Sequence, residues 1–245
     1  MLIYAVAFGP YHRDATWRRL VTALRGSAAL NAPEARLVIE NPAAPPQQPP
    51  YMYGTTCNLV KMAYWARAAA EATEPLLLLD ADMLVLRDPA EVFEAYPEPW
   101  DIALTYRPTT APLNGGAVWI RPGPRAAGWL ARWHNRCHEI YRDTYNHRAR
   151  IARGAGLAQT AALELLDEPP DTRDVKDPAV MQRLACADWN VCQDAWDQFD
   201  PLDPPGLVHV KSELRAEILS DNIRPRWPEI HDFFKRYERE GNRTP

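Results

Sequence analysis

Glycine, cysteine and long apolar runs are all scarce in this chain of 245 residues, which has 11 Gly and 4 Cys. So little glycine excludes a collagen-like repeat. Cys57, Cys137, Cys186 and Cys192 form no CxxC pair and are too few for a disulfide framework, so reduced thiols are expected. No apolar stretch approaches the roughly 18–20 residues of a bilayer span. The opening MLIYAVAFGPYHRD lacks a basic leader and a small-residue cleavage site. It reads as a first strand rather than a signal peptide, which makes a cytoplasmic location the default expectation. Excess charge is missing too. With 28 Lys+Arg against 32 Asp+Glu, a net charge of −4 gives no global attraction to nucleic acid or anionic lipid. What remains is an ordinary globular composition, 47% hydrophobic and 24% charged. A chain of this length buries roughly 70% of its unfolded surface.

Strand and helix patterns alternate, which favours a sheet with helices on both faces. Leu2–Ala7 is an apolar strand closed by Gly9-Pro10. Asp14 is placed to cap a helix to about Arg25, with Trp17, Leu20, Val21 and Leu24 on one face. Ala35–Glu40 is a second strand. Asn41–Pro50, with five prolines in ten residues, must be a loop. Thr56–Ala72 is helical and ends before Glu74-Pro75. Leu76 to Leu79, four leucines in a row, fit a central strand covered on both faces. Asp101–Thr105 and Ala117–Ile120 are further strands, Pro124–Tyr141 a core-facing helix, Gly206–Val210 a last short strand, and Trp227–Glu240 a terminal helix.

The sharpest chemical feature is Asp80-Ala81-Asp82, directly after the leucines. In open α/β sheets, ligands gather beyond the carboxyl ends of strands. On a strand, residues two apart face the same side, so two carboxylates there repel unless a cation lies between them. Oxygen ligands of this kind suit Mg²⁺ or Mn²⁺. Such an ion holds a diphosphate and neutralises charge on a leaving group. The plainer reading is that both acids end a strand in a solvated turn.

The run LLLLDADMLVLRDPAEVF resembles the DxD segment of GT-A-fold glycosyltransferases, in particular the glycogenin-like and lipopolysaccharide-galactosyltransferase-like group. Four more segments resemble that group in the same order: IYAVAFGPYHRDATWRRLVTAL, LNGGAVWIRPG, GLAQTAALELL and LVHVKSELR. Together they cover about residues 1–215. The resemblance implies a GT-A (Rossmann-like) mixed, mostly parallel sheet flanked by helices. Residues 1–215 would form the catalytic unit and 216–245 a helical extension. It implies a metal-dependent transfer from a nucleotide-diphosphate sugar, a UDP-sugar, with retention at the anomeric carbon. Asp80, Asp82 and His209 would hold Mn²⁺ or Mg²⁺, and Ala81 would join the nucleotide contacts. Lys211 would lie near the diphosphate. Ala7, Phe8 and Tyr11 would line the base pocket, with Lys61 entering from a helix. Asn114, Gly115 and Gly116 would flank the sugar. In the group's helix an Asp precedes the Gln, whereas here Ala158 precedes Gln159. Either Gln159 takes over as a neutral hydrogen-bonding group or the sugar is recognised differently. The acceptor is open: a glycan, lipid-linked sugar, protein or modified nucleic acid. Oligomeric state is equally open.

Other readings compete. LLLLDADMLV also fits the first motif of haloacid-dehalogenase-like phosphatases, with Asp80 as nucleophile. That motif is expected near the start of its domain, and here strand–helix pattern precedes it. A non-catalytic nucleotide-sugar binder is a third reading. His134 and His138 share a helix face and could ligate zinc, but without HExxH they read as surface histidines. Cys186 and Cys192 match no metal spacing. Trp129, Trp133, Trp189 and Trp196 read as core. The stretch from Tyr141 to Arg153 carries Arg142, Arg148, Arg150 and Arg153, and reads as a solvated loop or a patch for an anionic acceptor.

Overall fold

The computed structural model describes residues 1–10, 12–45, 53–97, 99–109, 112–143, 146, 149–151, 156–168, 178–193, 195–220 and 224–243. In chain order the strands are β1 (Leu2–Val6), β2 (Arg36–Glu40), β3 (Leu76–Asp80), β4 (Met83–Val85), β5 (Ile102–Tyr106), β6 (Leu113–Ile120), β7 (Met181–Ala185) and β8 (Leu207–His209). The helices are α1 (Ala15–Asn31), α2 (Tyr53–Glu71), α3 (Glu91–Ala95), α4 (Pro124–Arg142), α5 (Leu157–Asp167), α6 (Cys186–Trp189), α7 (Ser212–Leu219) and α8 (Pro228–Gly241).

Six strands form one sheet in the order β2-β1-β3-β6-β5-β7. Pairings β1–β2, β1–β3 and β5–β7 are parallel, while β6 runs antiparallel to both its neighbours. Five strands therefore point one way, the mixed, mostly parallel arrangement expected. Its centre is the leucine strand. Alternation sends Leu76 and Leu78 into the core under α2, α4 and α5, while Leu77 and Leu79 enter the opposite core with Leu24 and Ala28 of α1. All four leucines are fully buried.

Asp14 caps α1, accepting from the Trp17 amide at 3.1 Å. The helix then runs on to Asn31, six residues past the end expected near Arg25. Tertiary contact explains the difference. Bare Gly26 lies against the backbone of α8, and the Ser27 hydroxyl donates to Leu24 O while accepting the Val85 amide. Loop residues 46–50 lie outside the described residues. Trp129, Trp133, Trp189 and Trp196 are buried, as their core reading requires. Burial also pushes the Cys137 thiol up to about 12, so it acts as an apolar side chain. No helix among the described residues is long and apolar enough to cross a membrane.

The small second sheet matters most for the site. β4 and β8 pair antiparallel with Met83 opposite His209, and the Val210 amide donates to Asp82 O at 2.8 Å. A three-residue strand directly after the Asp-x-Asp turn thus carries residue 82 to a partner 127 positions away.

Candidate metal and donor site

Asp80 closes β3 at the carboxyl end of the sheet, and Asp82 follows in the turn to β4. Their outward oxygens are matched by cations. The Lys61 ammonium meets Asp80 Oδ1 at 2.5 Å and also lies 4.2 Å from the Trp65 ring centre. The Arg215 guanidinium contacts Asp82 Oδ2. Its Nε donates to Val210 O at 3.2 Å, and its Cζ lies 5.3 Å from the Trp17 ring centre. The inward oxygens face one imidazole nitrogen. His209 Nε2 is 3.1 Å from Asp82 Oδ1 and 3.7 Å from Asp80 Oδ2. Burial by itself raises the Asp82 carboxyl. The charge and hydrogen bond of His209, joined by Arg215, outweigh that and hold it down at about 2.

This is the one group of three metal-ligating side chains found among the described residues, with ligand atoms within 4.8 Å of one another. Donor atoms sharing an octahedral ion at about 2.1 Å lie roughly 3 Å apart. The 3.1 and 3.7 Å separations at His209 Nε2 are compatible with a shared divalent ion, and carboxylate and imidazole are both ligand types such ions take.

Gly116 forms the floor beneath these ligands. A Cβ there would lie 2.8 Å from both Cε1 and Nδ1 of His209 and 3.3 Å from Asp80 Oδ2. The space exists because β6 bulges. The β5–β6 register shifts between Leu104 and Thr105, so Thr105 pairs with Asn114 while Leu104 pairs with Val118. Asn114, Gly115 and Gly116 thus belong to β6 itself, which begins at Leu113 rather than at the expected Ala117. Gly116→Ala is expected to force the imidazole aside and weaken Mn²⁺ binding at least tenfold, while the melting temperature without metal falls only slightly. Calorimetric Mn²⁺ titration beside a thermal melt checks this.

The remaining expected site residues divide clearly. Ala7 and Ala81 are buried in one small cluster with Val21, next to Trp17. Asn41 Nδ2 donates to the carbonyls of Ala7 and Gly9, which fixes the loop after β1. Phe8 is partly buried against the larger core. Tyr11 lies outside the described residues. Gln159 on α5 reaches Leu113 O through Nε2 at 3.1 Å, and its Cγ lies 3.2 Å from where a Gly115 Cβ would sit. Asn114 turns inward, donating to Cys186 Sγ and Asn190 O. Lys211 is partly buried at the start of α7, with its amide on His209 O. The structure places Lys61 and Arg215 on the acids. Arg215 carries no motif in the sequence, because its partner Asp82 lies 133 positions away.

Elsewhere, Arg150 donates to Glu164 and Asp143, so part of the positive charge in 142–153 is neutralised within the fold. Residues 144, 145, 147, 148, 152 and 153 lie outside the described residues. His134 and His138 pack edge to face, with ring centres 4.7 Å apart. The four cysteines form no disulfide.

No protein-family model matches the chain, and comparison with curated proteins finds no match. Solved structures do match. A glycosyltransferase involved in glycosylation of the major capsid of PBCV-1 aligns at a TM-score of 0.59 and 13% identity, over 89% of this chain and 96% of that one. GlyE of Streptococcus pneumoniae aligns at 0.61 and 12%, over 99% of this chain and 62% of that one. The galactosyltransferase LgtC, solved with donor and acceptor sugar analogues, aligns at 0.57 and 12%, over 100% and 97%. The chain therefore has the GT-A fold.

Proposed function

We propose that this chain is a metal-dependent glycosyltransferase that takes a nucleotide-diphosphate sugar, a UDP-sugar, and passes a hexosyl or similar unit to a separate acceptor. The observation that carries this reading is the meeting of Asp80, Asp82 and His209 beyond the carboxyl end of the central strand of a GT-A sheet. Those three residues hold Mn²⁺ or Mg²⁺. When bound, the ion supplies Lewis-acid neutralisation of the diphosphate leaving group.

The protein's own groups do the rest. Lys61 orients Asp80, and a fixed cation costs no reorganisation during reaction. Arg215 sits on Asp82 and over the Trp17 ring, and its guanidinium is a planar donor fork suited to phosphate oxygens. We assign it the diphosphate, ahead of Lys211. Arg215→Gln is expected to lower turnover about 10²–10³-fold while the protein still binds Mn²⁺. Turnover and metal calorimetry read the two effects separately. Bare backbone at Gly115 and Gly116 makes room for Gln159 and the His209 ring respectively, which seats Gln159 as a neutral hydrogen-bonding group for the sugar. Ala7, Ala81 and the loop held by Asn41 form one wall of the base pocket. Retention is supported by the family resemblance, with the departing phosphate oxygen accepting the acceptor's proton.

The test is a panel of nucleotide sugars scored for thermal stabilisation, with and without Mn²⁺. A ligand that binds the native state stabilises it by RT ln(1+[L]/Kd), about 2.7 kcal/mol at 100 Kd. One donor should stand out, and only with metal present. Failure of every donor, together with phosphate release from simple esters, favours the phosphatase chemistry instead.

A further inference from the structure

Three polar side chains are sealed in the core beside the site, at positions far apart in sequence. Thr105, Asn114 and Asn190 are each no more than 1% exposed. Their hydrogen bonds close a loop. Asn190 Nδ2 donates to Thr105 Oγ1 at 3.0 Å, Thr105 Oγ1 donates to Asn114 O at 3.0 Å, and Asn114 Nδ2 donates to Asn190 O at 3.2 Å. Asn190 Oδ1 is left without a partner among the described residues. An amide kept in the core with one acceptor unsatisfied is poorly explained by stability alone. Closed polar networks fix geometry because each bond constrains its neighbours.

The loop reaches the metal-ligating imidazole from two sides. Beyond Asn190, Val191 donates to Leu207 O and accepts the His209 amide at 2.8 Å, so the backbone of β8 is tied directly to this segment. On the other side, Asn114 Oδ1 accepts the Gly116 amide at 3.4 Å, and Gly116 is the residue in contact with the His209 ring. The bulge that keeps Gly116 there opens between Leu104 and Thr105, where the loop is anchored.

We infer that Asn190 is a positioning residue for the metal site: through Thr105 and Asn114 it sets the Gly116 floor, and through Val191 it sets the height of His209, so that Nε2 meets Asp80 and Asp82. This inference rests on the Asp80–Asp82–His209 reading of the site. It adds a residue that touches neither metal nor substrate, placed between the end of α6 and the Val191 bridge to β8.

The test measures Mn²⁺ affinity by calorimetry on the full chain, well below the melting temperature. Asn190→Ala and Thr105→Val are expected to weaken Mn²⁺ binding 10–100-fold, the usual range for groups that orient metal ligands. Thr105→Ser keeps the hydroxyl and is expected to bind as the parent does. Ile230→Ala, in α8 and outside the hydrogen-bonded loop, lowers the melting temperature but leaves the Mn²⁺ affinity within twofold. That control separates positioning from general destabilisation. Where Asn190→Ala does not fold, the Thr105→Val and Thr105→Ser pair carries the comparison alone. If the parent binds Mn²⁺ and the Asn190 and Thr105 variants bind equally well, or if Ile230→Ala weakens binding as much, the inference fails and the metal reading stands. If the parent itself binds no Mn²⁺ or Mg²⁺, both fail together.

Discussion

Asp82→Asn is expected to remove metal-dependent transfer, with turnover falling about 10³-fold or more. The ion contributes several kcal/mol at the transition state, and each 1.36 kcal/mol is a factor of ten. The substitution keeps the side-chain shape but deletes one of two negative charges. It also leaves the Arg215 guanidinium and the His209 ring facing a neutral amide in a buried place. Mn²⁺ should then no longer raise the melting temperature. A second consequence concerns metal-free protein. The Asp82 carboxyl is held down at about 2 in the fold, against about 3.9 in an unfolded chain. A depressed carboxyl stabilises fully above the unfolded value, and that contribution is lost as pH falls from about 4 towards 2. Urea unfolding of metal-free protein should show that loss in the parent and a flatter profile in Asp82→Asn. Parent-like turnover in the variant would refute the assignment.

Gly26→Ala is expected to lower the melting temperature by about 6–12 °C, although helix propensity alone predicts the opposite sign. Alanine is better than glycine inside a helix by about 1 kcal/mol. Here, however, a Cβ on Gly26 would fall 2.0 Å from Tyr237 O and 2.6 Å from Gly241 N. These are backbone atoms and cannot rotate away. The reciprocal contact is equally tight, since a Cβ on Gly241 would lie 1.9 Å from Thr22 O. Helices α1 and α8 must therefore separate, loosening Ile230, Phe234 and Tyr237 in the core they share with Leu20 and Ala23. Overpacking costs typically 1–3 kcal/mol, occasionally more. Roughly 3 kcal/mol in a chain of this size corresponds to that shift. A shift below about 2 °C would mean that the two helices yield more easily than their backbone contact implies.

How much of this was legible in the sequence depended on whether a residue's job is local. Leu76 to Leu79 announced a two-sided strand because burial on both faces leaves no polar position. Asp14 announced a cap because capping is settled within three residues. The acids at 80 and 82 were visible as chemistry at the end of that strand. His209 was reached only through family resemblance, since nothing in LVHV marks it as a ligand until β4 and β8 pair. Met83–Val85 was hidden inside an apolar run, and Met181–Ala185 is a short strand paired in the sheet to β5 alone, with little alternation to read. The apolar stripe of α1 was legible only as far as Leu24, so its helix was expected to end near Arg25, whereas packing against α8 carries it to Asn31. Arg215 and Asn190 could not be read at all. Their partners, Asp82 and Thr105, lie 133 and 85 positions away, and only the folded chain brings them together.

The most direct measurement is pulsed electron paramagnetic resonance on protein loaded with Mn²⁺. The arrangement of Asp80, Asp82 and His209 predicts one bound ion per chain, coupled to a single ¹⁴N nucleus. That coupling should vanish in His209→Gln, and binding should weaken sharply in Asp82→Asn. Absence of a bound ion in the parent, or a nitrogen coupling that persists without His209, would contradict the account at its root.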